Sequence, residues 1–143
     1  MIRRLAALLV AGVVLCACGT VSASTAMGNW TNKNTFLATT RTLRVDASHV
    51  AKVLRSKSEP NVVHTVCGVL LVDTQSANDD LPTPDAQATT LLGKAYTNLG
   101  AAANTCYKSA SDASLRSSAL ALLETGTAQL AEATARIASV KAS

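Results

Sequence analysis

At 143 residues, the chain has room for one domain of ordinary size; its 48% hydrophobic and 15% charged residues, with only seven Gly and three Pro, argue against a disordered or collagen-like polymer. The formal charge of +4 is small, and one Trp, two Tyr and one Phe make a poor stacking platform, so nucleic acid is excluded as a partner class.

In chain order, Met1-Ile2-Arg3-Arg4 places two positive charges ahead of Leu5–Leu15, an uncharged run of Leu, Ala, Val and Gly. That is the layout of an export signal, and it is too short to span a bilayer, which takes about 20 apolar residues. Leu15-Cys16-Ala17-Cys18 resembles the bacterial lipobox, in which a small residue precedes the cysteine that receives a diacylglyceryl group. Cys18 fits that pattern, whereas Cys16 follows the bulky Leu15. Residues 1–17 are therefore expected to be a lipoprotein signal peptide and Cys18 the lipidated residue, of the kind described as a palmitate-bearing anchor. Ordinary secretion after Ala23 or Ala26 is the alternative. Acyl chains contribute about 0.8 kcal/mol per buried methylene and would hold the domain at the outer face of the cell membrane without a spanning helix. Of thirteen basic residues, Arg3 and Arg4 leave with the signal, so eleven face nine acidic ones and the mature charge is +2. Residues 18–30 are small and polar, and are expected to be a flexible tether.

From there the sequence predicts four helices in residues 31–143. Over about 31–57, Phe36, Thr40, Leu43, Ala47, Val50 and Leu54 recur at steps of four and three and trace one helical face. Over about 61–77, Val63, Val66, Cys67 and Leu70 mark a second face, and Val69, Leu71 and Val72 widen it until a central position is expected. A buried strand fits this β-branched run too, but no partner strand is visible. In the linker Asn78–Asp85, Thr83-Pro84 reads as an N-cap and first-turn pair for a third helix over about 84–107, with the stripe Ala88, Leu91, Leu92, Ala95, Leu99, Ala102 and Cys106. The fourth, over about 112–141, follows a Ser111-Asp112 cap and carries Leu115, Ala119, Leu122, Leu123, Leu130, Ile137 and Val140. Gly126 lies on the same face and permits close approach, at about 1 kcal/mol of helix propensity.

After export, Cys67 and Cys106 are the two cysteines left in an oxidising compartment, and a disulfide is the expected state. Closing a loop of about 40 residues stabilises by roughly 4 kcal/mol in the chain-entropy model. It also constrains topology. The second helix extends about 15 Å beyond Cys67 and the third begins about 33 Å before Cys106, a mismatch that the Pro-rich linker, extended, is long enough to bridge. The expected fold is thus all-α, an up-down-up-down four-helix bundle stapled by one disulfide.

Motifs of chemistry are sparse. There is no GxSxG elbow, Ser-x-x-Lys, HExxH, Walker loop or GxGxxG, and the adjacent acids Asp79-Asp80 fall on a linker. His49 falls roughly opposite the first helix's apolar face, and His64-x-x-Cys67 is a weak metal hint beside the disulfide. No enzymatic activity, cofactor or metal site is expected. Two surface features stand out. Arg41, Arg44, Lys52 and Arg55 share an arc of about 80° on the first helix, a solvated face or a contact with an anionic envelope surface. On the third, Gly93, Tyr96, Gly100 and Tyr107 share an edge that either packs on the linker or forms a shallow groove.

With Cys67, then Leu81-Pro82-Thr83-Pro84-Asp85, Leu91-Leu92, Ala95-Tyr96, Leu99, Ala101-Ala102-Ala103 and Cys106, the chain resembles small exported helical lipoproteins of high-GC actinobacteria of the mycobacterial type. Their function is unassigned; the resemblance covers about 50 residues plus the lipobox, implies an envelope location and a cystine-stapled helical domain, and lends no catalytic residue. The expected role is that of a non-enzymatic envelope lipoprotein, tethered to the membrane for interaction with an envelope protein or polymer. The alternative is a carrier of a small apolar ligand or lipid between the helices.

Overall fold

The computed structural model describes residues 21–143. They form five α-helices, α1 (Ala23–Lys33), α2 (Phe36–Arg55), α3 (Pro60–Asp79), α4 (Ala86–Lys108) and α5 (Arg116–Ala142), with a single 3₁₀ turn at Ala113–Leu115 and no strand among the described residues. The expected signal peptide at 1–17 and the expected lipidation site Cys18 lie outside the described residues.

Periodicity located α2 well. Phe36, Thr40, Leu43, Ala47, Val50 and Leu54 are all buried, as a 3.6-residue repeat on one face requires. The helix starts at Phe36, not near 31, because Thr35 adopts a left-handed conformation with φ 47° and separates it from α1.

The tether expected over 18–30 gives way to helix from Ala23 onward. Met27 and Thr31 are buried and Trp30 is half-buried, a stripe at steps of three and one that is too short to register as a period. Tertiary contacts hold this short helix, as most helices of its length require. The Trp30 ring lies 5.4 Å from that of Phe36, and its Nε1 donates to the Asp80 carbonyl at 3.1 Å. Ser24 Oγ donates to the Lys141 carbonyl at 2.7 Å, while Ser22 caps the helix by accepting from the Thr25 N–H. α1 therefore runs from the end of α5 to the α3–α4 linker and covers that end of the core.

α3 is less central than its composition suggested. Val63, Cys67 and Leu70 are buried, together with Thr74 and Ala77. Val62, Val69 and Val72, however, are 47%, 46% and 62% exposed. The reason is packing: α3 lies against α2 on one side and α4 on the other, which uses one stripe and leaves its outer face to solvent. The central helix is α4, which packs on both α3 and α5 and buries Ala88, Leu92, Ala95, Tyr96, Leu99, Ala102, Ala103 and Cys106. Its cap also differs from expectation. Asp85, not Thr83, accepts from the Ala88 N–H at 2.7 Å, and Thr83 turns inward to bond with Thr89 and the Asp85 carbonyl. A carboxylate at this position also meets Arg136 of α5, whose Nε and Nη2 donate to its two oxygens at 3.0 and 2.6 Å.

Cys67 and Cys106 are disulfide-bonded with their Cα atoms 5.8 Å apart. Seven residues along α3 from that bond, Thr74 lies opposite Gly100 of α4, so the two helices run antiparallel. Asp85 with Arg136 and Asn98 with Gln129 make α4 and α5 antiparallel too. At the start of α5, Arg116 Nη1 donates to the Ser56 carbonyl just beyond α2, while Thr134 and Ile137 near its end lie beside Leu37 at the start of α2. α2 and α5 are thus antiparallel neighbours as well.

Candidate functional site

The seam between α2 and α5 opens into a groove that runs along both helices. α2 presents one stripe to the core, and the residues about 100° round from it, Leu37, Arg44, Ser48, Ala51 and Arg55, form one wall. α5 provides the other, with Leu120, Leu123, Glu124, Thr127, Thr134 and Ile137.

The groove changes character along its length. At the α1 end is a recess of about 320 Å³ bounded by Phe36, Leu37, Ile137, Ala138 and Ala142, with Lys141 at its edge. It shares Leu37 and Thr134 with a middle section of about 410 Å³, where Arg41 and Arg44 stand beside Val45 and Thr40. That section in turn shares Arg44 and Ser48 with a third, of about 480 Å³, edged by Arg44, Arg55 and Glu124. No acidic residue lines the first two sections. Arg136–Asp85 is the one ion pair within 4.0 Å among the described residues, so the arginines of the groove carry no paired carboxylate there.

Thr40 adds a second feature. It is 5% exposed and lines the middle section, yet its hydroxyl has no hydrogen-bond partner. Helical threonines elsewhere in the chain, such as Thr74, Thr97 and Thr134, donate to the carbonyl four residues earlier. A buried hydroxyl without a partner is unfavourable by about 1–3 kcal/mol unless something supplies one.

The basic arc read from sequence therefore divides. Arg41, Arg44 and Arg55 border the groove, whereas Lys52 is exposed and borders none of its sections. The Gly93, Tyr96, Gly100, Tyr107 edge meets α3 more than the linker. Tyr96 and Gly100 border a shallow groove of about 460 Å³ with Thr74 and Asn78, and the Tyr107 ring stacks on His64 at 4.2 Å. Close approach is not the reason for its glycines: a Cβ on Gly93 would meet nothing within 4 Å, and one on Gly100 only Thr74 at 3.9 Å. Burial, then the charge of Asp80, pushes the Tyr96 hydroxyl above its ordinary range. His64 has no thiolate beside it, because Cys67 is bonded to Cys106. Among the described residues no group of three His, Cys, Asp or Glu side chains could hold a metal ion.

Sequence reasoning missed one cluster. Asp46 of α2 and Asp73 of α3 meet across their seam, and burial, then a hydrogen bond and charge from Asp73, raise the Asp46 pKa to about 6, with His49 opposing. Asp46 Oδ2 is buried, so its charged form is poorly solvated, and the negative charge of Asp73 disfavours that form further. The residues are 27 positions apart in sequence, on different helices, and no local pattern connects them.

Compared with protein-family models, curated proteins and solved structures, the chain matches none.

Proposed function

We propose that this protein is a non-enzymatic lipoprotein of the cell envelope, in which an exported helical domain is held at the outer face of the membrane through Cys18 and engages an envelope protein or polymer. The observation that carries it is the joint placement of a basic, apolar leader ending in Ala17-Cys18 and a helical domain that begins at Ala23, only five residues later. A disulfide between Cys67 and Cys106 suits an oxidising compartment. No helix of the described residues is long and apolar enough to cross a membrane, so attachment would fall to the lipid. The resemblance to small exported actinobacterial lipoproteins agrees with this location.

Within the domain, α2–α5 are best described as an up-down-up-down four-helix bundle with α1 laid across one end. The antiparallel pairs α3–α4, α4–α5 and α2–α5 support it. A ligand enclosed in the core around α4 has less support, because Ala88, Ala95, Ala102 and Ala103 are buried where α4 meets its neighbours, and small residues there bring helices together.

Labelling cells with a radioactive fatty acid and measuring the mass of the N-terminal peptide tests the anchor. The wild-type protein and Cys16→Ser should incorporate label and stay with membranes, and Cys18→Ser should lose both. Retention of label in Cys18→Ser would overturn the proposal.

A further inference from the structure

We propose that the α2–α5 groove binds one anionic phospholipid of the membrane to which the protein is tethered, with acyl chain against Leu37, Ile137 and Ala138 and phosphate at Arg41 and Arg44. The inference deepens the envelope-lipoprotein function and rests on it for the nearness of the membrane.

Charge complementarity is the first ground. Arg41 and Arg44, one turn apart in effect and on the same wall, face a section with no acidic lining. Guanidinium groups recognise phosphate through paired, charge-assisted N–H donors, and exposed cations without a carboxylate partner are free to do so. The adjoining recess at the α1 end is built mainly of Phe36, Leu37, Ile137 and Ala138, and Leu37 is 68% exposed beside it. A cationic section joined to an apolar recess matches an anionic amphiphile better than either a free anion or a neutral oil.

Position is the second ground. Cys18 lies five residues before Ala23, a reach of at most about 18 Å of chain. Ser24 of α1 bonds the Lys141 carbonyl, and Lys141 edges the apolar recess. An anchor at Cys18 therefore keeps the recess end of the groove within a short chain length of the lipid surface. The far section, edged by Arg55 and Glu124, has mixed charge and is not assigned to the lipid.

Native mass spectrometry of the full-length protein in neutral detergent tests this, with phosphatidylglycerol, phosphatidylcholine and inorganic phosphate as separate probes. The wild-type protein should take up one phosphatidylglycerol about tenfold better than phosphatidylcholine. Arg41→Gln with Arg44→Gln should lower phosphatidylglycerol binding about tenfold and leave phosphatidylcholine unchanged. Ala138→Trp, which fills the recess, should lower both. Lys94→Gln with Lys108→Gln removes the same charge from exposed α4 positions and should change nothing. Equal binding of the two lipids, or equal losses in the two charge-removal pairs, would overturn the assignment. So would full competition by inorganic phosphate, which would mark a site for a free anion. Attachment is read independently from the lipid mass on Cys18: an acylated protein without the lipid preference defeats only the groove, and an unacylated protein that keeps the preference defeats only the anchor.

Discussion

The two seams of α5 are built on opposite principles. Against α4, α5 sets Gly126 beneath Leu99 so closely that a Cβ there would lie 2.9 Å from Leu99 Cγ and 3.0 Å from its backbone nitrogen. Asn98 Nδ2 donates to Gln129 Oε1 at 2.7 Å along the same seam, and Arg136 holds Asp85 at its end. Against α2, α5 meets Arg44, Arg55 and Ser48 around a floor of Ala47, Ala51 and Leu123, and the helices stand far enough apart to leave a groove. Close packing thus lies on the α4 side, where Gly126 admits Leu99 and the disulfide ties α4 to α3 in turn, while the α2 side exposes charge. The comparison teaches that, on α5, binding can reside on the seam that is left open.

Breaking the closed side should have the largest effect. Replacing Cys67 and Cys106 together with Ala removes the cross-link between α3 and α4 and should lower unfolding free energy by about 2–5 kcal/mol in a denaturant titration. If the midpoint does not move, the staple contributes nothing and the asymmetry between the sides is false.

The glycines sharpen the contrast at a smaller scale. Gly126→Ala gains about 1 kcal/mol of helix propensity but must force α4 and α5 apart, and overpacking of this kind costs about 1–3 kcal/mol, so net destabilisation is expected. Gly93→Ala, where no atom lies within 4 Å of the new methyl, should instead stabilise by about 0.5–1 kcal/mol. Thermal melts of the two variants should move in opposite directions; a rise in both would show that the α4–α5 seam yields easily.

The pH dependence separates the α2–α3 seam from the α4–α5 seam. Asp46 has its pKa raised from 3.8 to about 6 in the folded protein, so folding binds a proton that the unfolded chain has released. Its stabilisation is complete below about 3.8 and is lost as pH rises through about 6. Asp85 is the reverse: a hydrogen bond from Arg136, then one from the Ala88 N–H, hold its pKa near about 2, so its contribution is present above 3.8 and lost as pH falls through about 2. Asp46→Asn should raise stability at pH 7 and flatten the profile between about pH 4 and 6, leaving the acid limb in place. An unchanged profile in urea melts across that range would show that Asp46 does not titrate within it.

The smallest effect on stability is expected at the open side. Changing Arg41, Arg44, Lys52 and Arg55 together to Gln should alter unfolding free energy by no more than about 0.5 kcal/mol, because all four are exposed and surface charges contribute little. A larger loss would mean that the α2–α5 wall is structural.

Sequence alone determined much of this architecture. The period through Phe36, Thr40, Leu43, Ala47, Val50 and Leu54 identified the buried face of α2 residue by residue, since a 20-residue helix samples its own repeat several times. Two cysteines on helices joined by a linker of sufficient reach identified the cross-link, and Gly126 on an apolar face marked a position of close helix approach. Tertiary structure decided the rest. It made a helix of Ala23–Lys33, whose stripe of Met27, Trp30 and Thr31 is meaningful only against Phe36 and the end of α5. It left Val62, Val69 and Val72 in solvent, because apolar composition states what a helix can bury and not how many neighbours it has. It moved the α4 cap to Asp85, where Arg136 of a helix 51 residues away completes the carboxylate's bonds. It brought Asp46 to Asp73 and set Arg41 and Arg44 next to an apolar recess that α2 forms with α5. Periodicity reports the face of one helix at a time, whereas a groove is a property of two.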